Sequence, residues 1–390
     1  MSRPESFRIA VRKFGPFESA IAKQWAAFDA EANTGLRLEA VPMDLHPLGE
    51  SLASDDWDVH FVNTDWIASL AASRRVLDLA PMLAADPPSQ YPDGWAPSLL
   101  RLHTVEGAVL GLPYHDGPEC LIFRKDLFEE ARLRVPQTWA EFHQVARLLH
   151  SPQQGLSGTV FAAFPDGHNT VYDFCLQLWT RGGELFDAAG VLRLDTPQAA
   201  EGLAFYRQIV NDSRAVHPLA RDFDSVKSGL AFAAGEVAMM VNWFGFAAMA
   251  ETMEGSRVSG KVDIAPIPGR CASLNVYWVL SIAAASAHPD VAWRFLRHCA
   301  SPQMDKLLTL EGAIGCRRST WADAEVNRVV PFYHKLAALH DNAREMPRLA
   351  AWPRIAEVID QAVLGAINTA TPIEELLRTA QARLDQLEVA

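Results

Sequence analysis

Three residues in the segment 111–142 could carry out chemistry: His115 and Asp116 are adjacent, and Cys120 follows them. A His–Asp pair can supply a general acid and base, and a thiol becomes a nucleophile when a positive group lowers its pKa. Side chains adjacent in sequence usually point apart, however, and Cys120 lies between Glu119 and Leu121 in an apolar, strand-like run. We therefore interpret Cys120 as a buried structural residue and keep catalysis by these residues as the alternative hypothesis, a transferase or lyase.

Other catalytic and cofactor motifs are missing from the sequence. It has no GxSxG elbow, no P-loop, and no GxGxxG after a strand, so we expect no nucleotide chemistry and no cofactor. The five cysteines form no CxxC pair, and no histidine stands at metal-ligand spacing. This argues against a zinc module or a dense disulfide framework, while leaving room for one bridge. The sequence does not decide whether a glycosidase-type pair of carboxylates is present, because such a pair is defined by the distance between the two groups in space.

Length and composition favour a globular protein of two lobes. A chain of 390 residues exceeds the roughly 250–300 residues at which single cores stop growing. The composition is 49% hydrophobic and 21% charged, as in soluble globular proteins. A formal net charge of -12 without a basic run argues against a nucleic-acid partner, and more weakly against an acidic or phosphorylated ligand.

The elements that must position these residues alternate between strands and helices. Strands are predicted at residues 6–14, 36–41 and 57–63, with helices between and after them. This order implies right-handed crossovers and a largely parallel sheet, and hence an α/β fold. Further along, 273–284 is predicted as one long strand, and 136–150 as a helix with Thr138 as N-cap and Glu141 completing a capping box.

Two segments bear on membranes and export. The apolar residues 229–250 include Glu236 and Asn242, so we interpret them as a helix end, a strand and a helix start. The first 17 residues have no apolar run long enough for a signal peptide. Either a signal was removed and replaced by a start methionine, or the protein is cytoplasmic.

Candidate ligand-binding residues follow the predicted strands. Ligands of parallel α/β sheets bind beyond the carboxyl ends of the strands, which is where Lys13, Phe14, Asp65 and Trp66 fall. Aromatic and amide side chains gather at further predicted strand ends and loop junctions. Rings can cover the C–H faces of a sugar while amides bond its hydroxyls, so the set predicts a carbohydrate-type site, with core packing as the alternative for any single ring. The set comprises Tyr114, Tyr172, Trp243, Tyr277, Trp278, Asn242 and Asn275.

The order of several motifs resembles a known family. LPYHDGPECLIFRKDLFEEARLRVPQTWAEF is similar to a pattern of LPY, a variable segment, a strand ending in Tyr/Phe-x-Lys-Asp-Leu-Phe, and Val-Pro-x-Thr-Trp before a helix. GGELFD, FAAGEVAMMVNW, VLSIAAASAHPDVAWRFLRHCASPQ and EGAIGCRRS match further along, so the likeness covers nearly the whole chain. The chain thus resembles the extracellular solute-binding proteins of ABC importers, in particular the sugar-binding group related to maltose-binding protein.

This resemblance implies a type II-like periplasmic-binding-protein fold. Each of two lobes would be a mixed, mostly parallel sheet flanked by helices, and the lobes would close on a ligand in the cleft. The N-terminal lobe would comprise residues 1–115 plus 279–315, and the C-terminal lobe 116–278 plus 316–390. Hinge crossings are expected near 114–119, 275–279 and 315–318.

The resemblance also implies function and site. Asp65, Tyr172 and Asn242–Trp243 match positions at which family members often contact ligand, and His115 and Asp116 would set specificity. Arg317, beside the expected third crossing, joins the candidate set. The predicted function is a monomeric, non-enzymatic periplasmic protein that captures a sugar, sugar derivative or polyol and delivers it to the transmembrane subunits of an ABC permease. A cytoplasmic solute sensor is a further alternative.

Overall fold

The computed structural model describes residues 5–269, 273–341 and 343–387. The chain divides into two units, each with its own sheet and helices. Unit 1 comprises residues 1–117, 275–340 and 345–350, and unit 2 comprises 118–274, 341–344 and 351–390. Strands and helices are numbered below in chain order.

The unit boundaries differ in part from those expected from the sequence. The first two divisions fall at 117/118 and 274/275, close to the expected 115/116 and 278/279. Residues 316–340, expected in the C-terminal lobe, belong to unit 1. The reason is a buried carboxylate: Asp305 accepts hydrogen bonds from the backbone N–H groups of Cys316 and Arg317 and holds this segment in unit 1. The remaining divisions therefore lie at 340/341, 344/345 and 350/351 and not near 315–318.

Unit 1 contains a five-stranded sheet with the order β2-β1-β3-β12-β6. Strand β1 pairs in parallel with β2 and β3, whereas β12 is antiparallel to β3 and β6. The carboxyl ends of β1, β3 and β6 and the start of β12 consequently share one edge of the sheet. The strands of unit 1 are β1 Ser6–Arg12, β2 Arg37–Met43, β3 Val59–Asn63, β4 Thr104–Val105, β5 Ala108–Val109, β6 Leu112–His115 and β12 Trp278–Ile282.

Helices cover this sheet with an aromatic core. Helix α1 begins after Phe14 at a Gly-Pro start and ends at Asn33, whose φ of 45 is left-handed and stops the helix. Its buried face carries Trp25, which stacks on Phe7 of β1 with ring centroids 4.7 Å apart. The helices of unit 1 are α1 Gly15–Ala32, α2 Leu45–Ser51, α3 Ile67–Ser73, α4 Ala80–Ala85, α11 Pro289–Cys299, α12 Pro302–Leu310, α13 Arg318–Trp321, α14 Ala324–Val329 and α15 Leu336–His340, with 3-10 turns Thr64–Trp66, Pro97–Leu99 and Tyr333–Lys335.

Unit 2 contains a four-stranded sheet with the order β10-β7-β9-β8. Only β8 and β9 are parallel, while β7 is antiparallel to both β9 and β10. The expectation of a mostly parallel sheet is therefore wrong for this unit. Parallel pairs need a helical crossover, and β7 enters this sheet directly from the preceding unit. The strands are β7 Glu119–Arg124, β8 Ser157–Thr159, β9 Val237–Trp243 and β10 Val262–Ala265.

Helix α6 of unit 2 begins where the sequence signals predict. Helix α6 has the predicted capping box, in which the Thr138 side chain accepts from the Glu141 N–H and the Glu141 carboxylate accepts from Thr138. The helices are α5 Lys125–Glu130, α6 Trp139–Leu149, α7 Asn169–Trp179, α8 Pro197–Val210, α9 Ser225–Ala233, α10 Phe244–Thr252, α16 Trp352–Asn368 and α17 Ile373–Leu384, with 3-10 turns Pro152–Gln154 and Ala220–Asp222.

Two further predictions concern single segments. The apolar residues 229–250 form the end of α9, strand β9 and most of α10, as predicted. Across the described parts of the chain, no helix has the length and apolar character needed to cross a membrane. The long strand expected at 273–284 is instead two, β11 Leu274–Asn275, which pairs with β13 Arg344–Glu345, and β12. The break arises because the Tyr277 backbone bonds to Thr64 through its N–H and its carbonyl.

Candidate functional site

The end of β3 in unit 1 places an acid and two tryptophans at one edge of the sheet. Asn63 ends β3, and its side chain accepts a hydrogen bond of 2.9 Å from the Asp65 N–H, which fixes the turn Thr64–Trp66. Trp278 lies opposite Asn63 in the β3–β12 register. The rings of Trp66 and Trp278 meet edge to face, with centroids 5.8 Å apart. The structure thus brings the predicted residues Asp65, Trp66 and Trp278 together.

Lys13 and Phe14 follow β1 at the same edge of this sheet. The Lys13 Nζ lies 3.6 Å from a carboxylate oxygen of Asp44, and both side chains are well exposed. Phe14 precedes α1 and packs edge to face against Phe17, at a centroid distance of 5.1 Å. Their backbone positions agree with the predicted strand end, while the Phe14 ring is partly used in packing.

Unit 2 has its own aromatic pair at the end of β9. Trp243 is the last residue of β9 and faces Glu119, the first residue of β7, across the antiparallel pair. Its ring meets that of Tyr172 on α7 edge to face, with centroids 5.4 Å apart. Edge-to-face pairs hold both rings in place, so the partly exposed Trp243 is a rigid surface.

Asn242 serves the local structure of unit 2. Its side-chain nitrogen donates to the carbonyl of Ser225, and its side-chain oxygen accepts from the Trp243 N–H at 2.8 Å. The residue is only 3% exposed. The amide therefore orients Trp243 and the start of α10, which is a different role from the ligand contact expected of it.

Three predicted site residues lie in the core of unit 1. The Tyr114 hydroxyl donates to Gln24, and the Tyr277 hydroxyl bonds to the Leu102 N–H and the His103 ring. Arg317 is 0% exposed. On this geometry the polar groups of all three bond within the unit, and their ligand role stays a prediction. Sequence spacing could not separate a ring beside a strand end from one beneath the sheet.

Arg317 is the most heavily bonded of these core residues. Its guanidinium donates to the carbonyls of Ala300 and Ser89 and to the side-chain oxygen of Gln90, at 2.8–3.0 Å. It also lies over the Trp95 ring, 4.3 Å from its centroid. Arg317, in the turn segment EGAIGCRRS, therefore stabilises the interior of unit 1.

His115 and Asp116 each bond to a different partner. The His115 Nδ1 accepts from the Ile314 N–H at 3.0 Å, and burial lowers the pKa of its imidazole to about 3. Asp116 is 0% exposed and accepts from the Nε2 of His340 at 2.8 Å. The two side chains thus form no acid–base dyad, and their bonds argue against the specificity role expected of them.

His340 joins Asp116 to a serine. Its Nδ1 lies 2.9 Å from the Ser98 hydroxyl, so Ser98, His340 and Asp116 follow one another in the order of a hydrolase triad. All three are buried, with Ser98 at 2% and His340 at 7% exposure, and the Trp321 ring stacks on the imidazole at 4.9 Å. This burial favours a structural tie between segments of unit 1.

The cysteines also have structural positions. Cys120, Cys175, Cys299 and Cys316 are free and buried, and Cys271 lies outside the described residues. Burial raises the pKa of the Cys120 thiol well above its usual value, and the Glu119 carboxyl adds to the shift. A nucleophilic role would require the opposite shift. Within the described residues, no three His, Cys, Asp or Glu side chains gather as a metal site would require.

Several buried side-chain polar atoms lack hydrogen-bond partners within the described residues, and those of Asn275 and Glu119 are among them. Asn275 is 0% exposed, and neither polar atom of its amide has a hydrogen-bond partner in the described parts of the chain. Glu119 is 4% exposed, and its Oε2 likewise has none within residues 5–269, 273–341 and 343–387. Asn275 was predicted as a site residue. Glu119 was missed, because nothing in the sequence distinguishes a carboxyl at a strand start from a solvated one.

Each unit therefore has an edge-to-face aromatic pair, with Asp65 preceding Trp66 in unit 1 and Glu119 opposite Trp243 in unit 2. Comparison with known proteins identifies the family. The chain belongs to the family of bacterial extracellular solute-binding proteins, whose sequence profile matches residues 20–306. The predicted family is confirmed.

Individual relatives are distant but extend along most of the chain. A probable ABC transporter-binding protein of Deinococcus radiodurans is 22% identical over 86% of this chain and 81% of that protein. A mannitol-binding protein of Pseudomonas aeruginosa is 26% identical over 61% of this chain and 57% of that protein.

Solved structures show the same fold. Maltose-bound MalE3 of T. maritima superposes with a TM-score of 0.88 at 23% identity, covering 97% of this chain and 99% of that one. A solute-binding protein from Agrobacterium radiobacter K84 in complex with ribitol also gives 0.88, at 24% identity and 98% coverage of both chains. The predicted α/β binding-protein fold class is confirmed, and the chain is a solute-binding protein of the ABC-transporter type.

Proposed function

We propose that this protein binds a neutral sugar or polyol outside the cytoplasmic membrane, without altering it, and delivers it to an ABC permease. The contact surfaces would be Trp66 and Trp278 with Asp65 in unit 1, and in unit 2 Trp243, which the buried Tyr172 holds in place. The remainder of the candidate set would hold these surfaces in place.

The observation that carries the proposal is the burial of the tryptophans. All eleven lie within the described residues, and eight of them are at most 7% exposed. The other three are Trp66, Trp243 and Trp278. Trp243 ends β9, Trp278 begins β12, and Trp66 ends the 3-10 turn that follows β3. An indole left partly exposed by a fold that buries all the others costs hydrophobic stabilisation, so a binding role explains its position.

The chemistry of these surfaces suits a polyhydroxylated solute. Indole and phenol rings cover C–H groups, while the Asp65 carboxylate can accept hydrogen bonds from hydroxyls. Maltose, ribitol and mannitol, which are named for three structural neighbours and one relative, belong to this chemical class. Another relative, of Sinorhizobium fredii, is named a probable amino-acid ABC transporter periplasmic-binding protein. The partly exposed indoles of this chain support a neutral sugar or polyol over an amino acid.

Calorimetric titration with D-mannitol, ribitol and maltose tests the proposal. At least one should bind, and Trp66→Ala, Trp243→Ala and Asp65→Ala should each weaken it about 10- to 100-fold, or about 1.4–2.7 kcal/mol. Thermal unfolding of the free variants should change little, because these side chains are partly exposed. Leu148→Ala is the matched control, since Leu148 is a 62% exposed apolar residue on α6.

The possible results separate clearly. Affinity that stays at the wild-type value in all three site variants would remove the proposed surfaces. Failure of every sugar and polyol to bind, while amino acids do, would remove the solute class. A chemically altered probe recovered after incubation would instead support the enzyme hypothesis.

A further inference from the structure

Glu119 has an unusual position for a carboxyl group. It begins β7, directly opposite Trp243 in the β7–β9 register, and Trp243 in turn contacts Tyr172. Opposite residues of an antiparallel pair have Cβ atoms about 4.5–5.5 Å apart, so Glu119 lies beside the proposed aromatic surface of unit 2. It is nevertheless 4% exposed, and its Oε2 has no hydrogen-bond partner among the residues that the structure describes.

A buried carboxyl oxygen without a partner destabilises a fold and is rarely retained without a reason. The neighbouring acid is differently placed: Asp173, the next residue after Tyr172, accepts a hydrogen bond of 2.6 Å from the Tyr206 hydroxyl. Glu119 is therefore the acid of this pair that retains an unused hydrogen-bonding atom.

The surroundings favour a neutral Glu119. Burial raises the pKa of its carboxyl well above the usual value, and the charge of Asp173 adds to the shift. A protonated carboxyl has one O–H donor and one carbonyl acceptor. A hydroxyl group, which also donates and accepts, can satisfy both at once.

Further carboxyls lie around the start of α7. Asp166 accepts from the His168 and Asn169 N–H groups and from the Asn169 side chain, and Asp360 accepts from the Thr170 hydroxyl. Asp166 also contributes to a raised pKa of Asp173, so the charges act on one another. An anionic solute placed beside this group would be repelled.

We propose that Glu119 is a specificity-determining residue of this binding protein: it exchanges hydrogen bonds with a hydroxyl of a neutral solute and disfavours solutes that carry a carboxylate. The inference deepens the proposed function and rests on it. It assigns selection between polyols and sugar acids to the first residue of β7.

The experiment measures the dissociation constants of D-mannitol, ribitol, maltose and D-gluconate by calorimetry. For the best neutral probe, Glu119→Gln should stay within about threefold of wild type, because an amide also donates and accepts. Glu119→Ala should weaken binding at least about 30-fold, and Glu119→Asp about tenfold, since its carboxyl is drawn back by one methylene. D-gluconate should bind the wild type at least about 100-fold more weakly than D-mannitol.

Asp126→Asn provides the matched control, since Asp126 is an acid beyond the opposite end of β7 that pairs with Arg124. Its affinity for every probe should equal that of wild type. Circular dichroism establishes whether each variant is folded. If Glu119→Ala is unfolded, the affinities of Glu119→Gln and Glu119→Asp test the role of Glu119.

The two proposals fail in different ways. If Trp243→Ala weakens binding while Glu119→Ala and Glu119→Asp do not, the role of Glu119 is refuted and the proposed function stands. Gluconate binding as tight as that of mannitol refutes the selectivity. If no neutral probe binds the wild type, the proposed function is refuted and the inference with it.

Discussion

Substitution of Arg317 tests whether this residue acts in the core of unit 1 or in solute binding. The guanidinium donates three hydrogen bonds, to the carbonyls of Ala300 and Ser89 and to the Gln90 side chain, and lies over Trp95. Arg317→Met keeps an unbranched side chain of similar reach and removes the donors and the charge. The three acceptors then lose their partners, the Ala300 carbonyl in a buried site and those of Ser89 and Gln90 in a partly buried one.

The expected loss of stability is large. Hydrogen bonds to charged groups contribute about 1.5–3 kcal/mol each, and breaking a buried charged network by removing one partner costs about 3–5 kcal/mol. We expect a loss in this latter range, because the methionine still packs on Trp95. In units of roughly 150–250 residues, each kcal/mol of lost stability lowers Tm by about 2–4 °C, so Tm should fall by roughly 6–20 °C.

The assay combines differential scanning calorimetry with titration of the best neutral probe. Arg317→Met should lower Tm and leave the dissociation constant within about twofold at a temperature where the variant is folded. The ammonium of Arg317→Lys cannot reach all three acceptors, so the Tm of this variant should lie between those of wild type and Arg317→Met. An unchanged Tm together with a dissociation constant raised tenfold or more would refute the assignment and restore Arg317 to the binding site.

Two further predictions concern unit 2. Gly158→Ala should destabilise the fold by more than about 3 kcal/mol in urea unfolding, because the new Cβ would lie 1.7 Å from the Ala146 carbonyl oxygen, while Gly15→Ala, with no atom within 4 Å, serves as the control. Equal stability of the two variants would contradict this packing. Burial raises the pKa of Asp173 to about 7, against the hydrogen bond from Tyr206, so the folded state binds this proton more tightly than the unfolded state. Stability should therefore fall as pH rises from about 4 to 7, and Asp173→Asn should flatten that slope; identical pH profiles of Tm would show that Asp173 is not responsible.

Local signals predicted most of the elements because they depend on neighbouring residues. The Thr138–Glu141 capping box, the strand within 229–250 and the stop of α1 at Asn33 all lie where their signals indicate. The unit boundary near 315–318 was wrong because the anchor of that segment, Asp305, is bonded to it through contacts that no local pattern reveals.

The site was harder to predict because the residue type does not determine the direction of a side chain. Tyr277 and Trp278 are adjacent, yet the Tyr277 hydroxyl is hydrogen-bonded in the core and the Trp278 ring is partly exposed. Glu119 was missed for a related reason, since its significance lies in an unpartnered oxygen. Such features arise from the packing of α7 and β9 around it.

The distribution of the tryptophans also gives the protein a built-in optical signal. Because eight indoles are buried and three are partly exposed at the proposed surfaces, acrylamide reaches Trp66, Trp243 and Trp278 first. A bound solute shields the same three rings, so protection from the quencher measures occupancy directly. Single Trp→Phe replacements at these positions then show, without any attached dye, which unit the solute has covered.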